Sequence, residues 1–301
     1  MTFSRHESAF PASDAARFDW CEWTPDCPPR SVVIAMHGLG GRMEQFQPLG
    51  EHLTKFGVVT TAWNLRGQGL DPVPSRRGKR LDADRMIADL AKFVEFTRTR
   101  YSDASILLTG DSMGAQLALV ALADSEMANH FSGSLLFVPV TALRQRTPAW
   151  IQSNLRWIGR LFPTLRLSPK WFVSRGKNAI SLSRVPERQR ELDAAPYRLR
   201  EFSLRFLSDM GLLIDRAAKT GQDVKLPIAV FTAGVDLFLT EKQNIEFFRT
   251  LASSDRTYFH YPEAHHDLLH DSDQAKVFAD VTGWLQERNF TPSDRDQANI
   301  S

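Results

Sequence analysis

From Ser31 onward the chain alternates between short, mainly apolar runs and longer stretches whose apolar residues recur at helical spacing, and few architectures accept that rhythm. Residues 31–36 (SVVIAM) and 58–63 read as strands buried on both faces, as do the runs 106–109, 135–138, 228–232 and 256–261. Between them, residues 45–56, 82–96, 113–123, 241–251 and 274–287 read as helices. The second of these places Met86, Ile87, Leu90, Phe93 and Val94 on one face. A strand that is apolar on both faces must be covered on both sides, and helices lying between such strands in sequence supply the cover. The expected fold class is therefore α/β, a mostly parallel central sheet with helices on both faces.

Composition narrows the class without naming a function. With 301 residues, 43% of them hydrophobic, the chain holds enough apolar material for a large core. No run approaches the roughly 18 consecutive apolar residues of a spanning helix. The opening stretch carries Arg5, His6, Glu7 and Asp14 without an apolar core, so no signal peptide is expected. Cys21 and Cys27 are expected as two reduced thiols of a cytoplasmic protein rather than as a bridge. The net charge of +2 hides an asymmetry, because residues 141–219 carry 16 of the 37 basic residues but only 6 of the 35 acidic ones. That surplus suits an anionic partner: a membrane surface, a charged substrate or nucleic acid. The same segment lacks clear strands and is punctuated by Pro148, Pro163, Pro169, Pro186 and Pro196, so a helical insertion laid over the sheet is expected there. The domain reading is residues 1–140 as the first part of the core, 141–219 as a basic helical cap and 220–301 as the second part, ending in a loose polar tail.

Chemistry enters at Gly110-Asp111-Ser112-Met113-Gly114. The pentapeptide follows one expected strand and opens the next helix, the context in which G-x-S-x-G presents a serine nucleophile on a sharp turn. Glycines flank the serine because side chains there would collide with neighbouring backbone, and the helix N-terminus favours developing negative charge. The first strand runs into His37-Gly38-Leu39-Gly40-Gly41, a turn able to lend a backbone N–H to an oxyanion hole. The donors would be Leu39 and Met113, with His37 a structural residue bonded to the loop backbone. An acid and then a histidine should follow the serine in chain order. Asp236 lies just past the strand at 228–232. Beyond the last strand come His265 and His266, whereas His260 sits inside the strand pattern and His270 on the following helix. His266 is preferred as the base, with His265 the alternative.

On these residues the chain resembles an α/β-hydrolase of the monoacylglycerol lipase and lysophospholipase-like group, which includes proteins labelled serine aminopeptidase-like. The similarity spans roughly residues 18–288. It rests on the His37-Gly38 turn, Asn64-Leu65-Arg66-Gly67-Gln68-Gly69, the Gly110–Gly114 pentapeptide, Asp236 and His266. The family usually shows an alanine two residues before its histidine, and Ala264 matches. Asn64, Gln68 and Leu70 replace the family's Asp, His and Ser at positions that support the loop beside the site. Asp111 replaces a frequent His, and Glu263 stands where glycine is typical. An acid beside the nucleophile either disfavours an anionic intermediate or hydrogen-bonds away from it.

The resemblance implies an α/β-hydrolase fold with a helical cap and a Ser112–His266–Asp236 triad that works through an acyl-enzyme. No metal or organic cofactor is required, and the substrate is a lipid ester, a monoacylglycerol or lysophospholipid. Within the cap, Trp150, Ile151, Leu155, Ile158, Leu161 and Phe162 recur at helical spacing, Trp157 widens the stripe, and Arg156 and Arg160 lie opposite. A basic helix of this kind either binds a membrane interface or packs on the core. Nucleic acid is not expected, since no binding motif accompanies the charge. The competing readings are an esterase or thioesterase for small soluble acyl compounds, a catalytically silent binding protein on the same fold, and a zinc site at His266 and His270, which mimic H-E-x-x-H but lack a third ligand downstream.

Overall fold

In the computed structural model, which describes residues 3–144, 157, 158, 161, 162, 165–168 and 181–292, the apolar runs meet edge to edge. The strands are β1 (Phe3–Pro11), β2 (Arg17–Pro25), β3 (Ser31–Met36), β4 (Val58–Trp63), β5 (Ser105–Asp111), β6 (Gly133–Phe137), β7 (Arg166–Leu167), β8 (Phe202–Ser203), β9 (Ile228–Val235) and β10 (Arg256–His265). Among the described residues, eight form one sheet in the order β1-β2-β4-β3-β5-β6-β9-β10, while β7 and β8 pair separately. From β4 to β10 every neighbour is parallel. β1 and β2 add an antiparallel hairpin at one edge. The apolar pattern does not reveal this hairpin, because β1 is largely exposed and β2 interleaves exposed Arg17 and Asp19 with buried Phe18 and Trp20.

The helices are α1 (Gln47–Thr54), α2 (Ala83–Arg100), α3 (Met113–Leu122), α4 (Ser125–Ala128), α5 (Pro186–Ala194), α6 (Leu204–Lys219), α7 (Glu241–Thr250) and α8 (Gln274–Glu287). On one face of the sheet, Leu90 and Phe93 of α2, Leu117 of α3 and Phe206, Leu213 and Ala217 of α6 share a core with Ile34 and Leu108. On the other face, Leu49 and Leu53 of α1 and Val277, Val281 and Trp284 of α8 pack on Val33, Leu107 and Phe231. α3 is buried on every side, so its apolar character runs all round rather than along a stripe. α6 lies inside the basic segment yet belongs to this core layer. Trp150, Ile151, Leu155, Arg156 and Arg160 lie outside the described residues. Among the described residues, no helix is long and apolar enough to cross a membrane, and Cys21 and Cys27 are free thiols.

Candidate active site

The pentapeptide is the junction of β5 and α3. Ser112 has φ +52° and ψ −110°, a region that side-chain-bearing residues rarely adopt and that costs on the order of 1–3 kcal/mol. The surroundings enforce it from both sides. Ser112 N–H donates to Phe137 O of β6 at 2.9 Å, continuing the sheet ladder, and Ser112 O accepts from Gln116 N of α3 at 3.1 Å. A Cβ on Gly114 would sit well inside contact distance of the Met36 carbonyl in β3, and one on Gly110 would strike Gly114 itself. The two glycines thus allow α3 to start flush against the sheet, which leaves Ser112 partly accessible at the carboxyl ends of the strands.

Asp236 follows β9 and is wholly buried. Its Oδ1 accepts the N–H groups of Phe238 at 2.6 Å and Leu239 at 3.2 Å, and its Oδ2 lies 2.7 Å from His266 Nδ1. Burial alone would raise the Asp236 carboxyl, but the charge and hydrogen bond of His266 and the two backbone donors outweigh it and hold the group below its ordinary value. An ionised carboxylate only accepts, so the proton sits on His266 Nδ1 and leaves Nε2 free to accept. Nε2 lies 2.9 Å from Ser112 Oγ. Burial also works against the charged form of His266, and here Asp236, with Asp111 and Asp267 behind it, reverses the sign and holds the imidazole above its ordinary value. Phe238 packs edge-on against the ring at 4.7 Å between centroids. Ser112, His266 and Asp236 are therefore brought together in one hydrogen-bonded chain.

His265, the alternative base, closes β10 and turns to Ser181, contacting its Oγ at 3.2 Å and its carbonyl at 3.0 Å. β10 runs past Tyr261 to His265 with an irregular register, so the loop expected after residue 261 begins later. His270 closes a single 3-10 turn, Leu268–His270, ahead of α8, and its Nε2 meets the Gln45 carbonyl at 2.9 Å. His266 and His270 thus face different partners. Among the described residues, no group of three or more His, Cys, Asp or Glu side chains is placed to hold a metal ion.

The second half of the site is the turn after β3. Gly38, the residue before Leu39, packs on the nucleophile, its Cβ position 3.3 Å from Ser112 Cβ. Met113 opens α3, so its N–H is among those that no helical carbonyl can reach. His37 is buried and pushed down to about 4 by that burial. It is neutral, its Nδ1–H donating to Gly38 O at 2.8 Å and its Nε2 accepting from Leu65 N at 2.9 Å. The positions that depart from the family pattern hold the same turn. Gln68 Oε1 accepts from Gly40 N at 3.0 Å, and Asn64 Oδ1 accepts from Met43 N at 3.1 Å. Asp111 bonds away from the nucleophile, to Gln45 Nε2 at 2.6 Å. Sequence reasoning missed Gln45, which lies 66 residues from the acid it bonds.

Comparison with known proteins bears on this geometry. Residues 27–273 match the family model described as Serine aminopeptidase, S33. A monoacylglycerol lipase of Mycolicibacterium smegmatis is 23% identical over 296 residues, covering 95% of this chain and 98% of that protein. Human monoglyceride lipase is 22% identical over 279 residues, covering 89% and 86%. Among solved structures, a soluble variant of the Saccharomyces cerevisiae monoglyceride lipase, in complex with a substrate analogue, superposes with a TM-score of 0.80 at 20% identity, covering 98% of this chain and 97% of that one. The shared fold is the α/β-hydrolase.

Proposed function

The chain belongs to the Serine aminopeptidase, S33 family and is a carboxylic ester hydrolase, and from that premise we propose that it cleaves lipid monoesters, monoacylglycerols or lysophospholipids, through Ser112, His266 and Asp236. The observation that carries this reading is the unbroken chain Ser112 Oγ–His266–Asp236, with 2.9 and 2.7 Å links, hung on a strained elbow. Ser112 Oγ attacks the ester carbonyl carbon while His266 Nε2 takes its proton and Asp236 stabilises the imidazolium. The carbonyl oxygen becomes an oxyanion held by the N–H groups of Leu39 and Met113, a donor of this kind being worth about 3–4 kcal/mol in hydrolases. His266 then protonates the leaving alkoxide, which departs as the free alcohol and leaves the acyl-enzyme. Water repeats the sequence, with His266 as base, and releases the acid and free Ser112.

Kinship with the two lipases and the surface of the cap support a lipid as substrate. We read residues 141–219 as the cap segment, of which Leu204–Lys219 packs with the core. Its described apolar side chains Trp157, Leu161 and Phe162 are 66%, 64% and 59% exposed, an arrangement suited to the surface of an anionic membrane. The test is intact mass and peptide mapping after fluorophosphonate treatment. One adduct on Ser112, absent from Ser112→Ala, supports the mechanism, and no adduct on folded protein overturns it. A panel of monoacylglycerol, lysophospholipid and acyl-CoA then fixes the substrate class. Turnover confined to acyl-CoA would replace lipid monoesters with thioesters.

A further inference from the structure

The reaction just described makes no use of Asp111, the residue immediately before the nucleophile. Its side chain is buried at the end of β5. Oδ2 accepts from Gln45 Nε2 at 2.6 Å, whereas Oδ1 is buried without a partner among the described residues. Gln45 belongs to the 3-10 turn Met43–Phe46 that follows the oxyanion turn. Both ends of this bond press on that turn. The Cβ position of Gly38 is 2.9 Å from Asp111 Oδ2, and that of Gly41 falls within contact of Gln45 Oε1. Gln45 is anchored in turn by its backbone, N–H to Arg42 O at 3.0 Å and carbonyl to His270 Nε2 at 2.9 Å.

We propose that the Asp111–Gln45 pair is a buried strut that holds the turn carrying Leu39 in register with the elbow carrying Ser112 and Met113, and that the Asp111 carboxyl is electrostatically coupled to His266. The proposal rests on the triad mechanism above. Two donors on separate loops form an oxyanion hole only while their spacing is fixed, and the strut is a side-chain bond from the elbow to the 3-10 turn that continues the Leu39 loop. Its carboxyl is also a titrating group. Asp111 is pushed up to about 7, chiefly by burial with Asp267 and Asp236 adding to it, while His266 and the Gln45 bond pull the other way. Asp267 is itself paired with Arg188 at 2.8 Å, which mutes its share. In the turn, His37 is neutral. Behind Gln45, burial holds His270 below its ordinary value, and across Gly40 lies the Arg198 guanidinium. That leaves His266 as the facing group whose charge changes in the reaction. Coupling is reciprocal, so a charged Asp111 raises His266 as much as a charged His266 lowers Asp111.

Two variants separate the strut from its charge. Asp111→Asn keeps an acceptor for Gln45 Nε2 but removes the charge, whereas Gln45→Leu removes the bond and keeps the carboxyl. The readout is the rate of fluorophosphonate labelling of Ser112 and kcat/KM for a soluble ester, each from pH 5 to 9, with circular dichroism as the control for folding. Asp111→Asn is expected to move the acid limb to lower pH by roughly half a unit. Gln45→Leu is expected to lower kcat about tenfold, with KM changed less than twofold. A merely structural role for Asp111 leaves the limb where it is. An unmoved limb in Asp111→Asn, or a Gln45→Leu variant with wild-type kcat, overturns the proposal, and either variant suffices if the other does not fold. Wild-type protein that takes no label at Ser112 removes the triad premise instead, an outcome that neither variant produces.

Discussion

In the proposed mechanism His266 carries two opposed demands, since it accepts a proton from Ser112 yet sits where its charged form is favoured. Burial disfavours the imidazolium, and the Asp236 carboxylate 2.7 Å away outweighs that effect. Because the imidazole is held above its ordinary value, and only the neutral ring is a base, activity should rise with pH through a limb lying above about 6.5. The same shift has a signature in stability. A histidine raised in the folded state contributes stability that is fully present below its unfolded value and is lost as pH rises through its folded value. Asp236→Asn removes the cause of the raised value and frees the ring to adopt the other tautomer. We expect it to move the limb to lower pH and to cut kcat by on the order of 10³–10⁴, as loss of the triad acid does in serine proteases. A pH profile of kcat for this variant checks both, and a loss under tenfold would show that Asp236 does not orient the base.

Among the elements, the junction of β5 and α3 combines backbone strain at Ser112 with close packing at Gly114. Gly114 meets the Met36 carbonyl backbone to backbone, so no side-chain rearrangement makes room for a methyl group there. Gly114→Ala should push α3 off β3, destabilise the fold by about 1–3 kcal/mol and lower Tm by several degrees. Labelling of Ser112 should slow more than the stability loss alone accounts for, because the elbow moves with the helix. A variant with wild-type Tm and labelling rate would refute this account of the glycine. That junction was legible in the sequence because its requirements are local: a strand run, a glycine on each side of a serine, and a helix behind. Asp236 and His266 were legible because each follows a strand in the expected order. What escaped was chemistry between elements distant in sequence. Nothing near Asp111 points 66 residues back to Gln45, and nothing in the alternating charges of β1 and β2 separates an edge hairpin from a loop.

At the scale of the whole molecule, near-neutral net charge coexists with polarity. Residues 141–219 hold 16 basic and 6 acidic residues, and the remainder of the chain is net acidic. Several of the described charges in this segment are internally satisfied. Arg184 pairs with Asp271, Arg188 with Asp267 and Arg190 with Glu187. The first two fasten the segment to the loop beyond His266, the third lies within α5, and all three contribute little to an outward field. The exposed Trp157, Leu161 and Phe162 are different, since burying such side chains is favourable and the core leaves them uncovered. A cap that meets lipid as proposed, through these apolar side chains and the basic surplus of residues 141–219, should bind anionic vesicles in two separable parts. Raising NaCl from about 0.05 to 0.5 M should weaken the electrostatic part as the screening length shrinks. The double variant Trp157→Ala, Phe162→Ala should weaken binding at every salt concentration, and should slow hydrolysis of a vesicle-borne ester more than that of a short soluble one. Co-sedimentation with vesicles of neutral and anionic lipid measures both parts. Binding that is absent at low salt, or equal in the double variant, would leave the apolar residues to pack within the cap rather than against lipid.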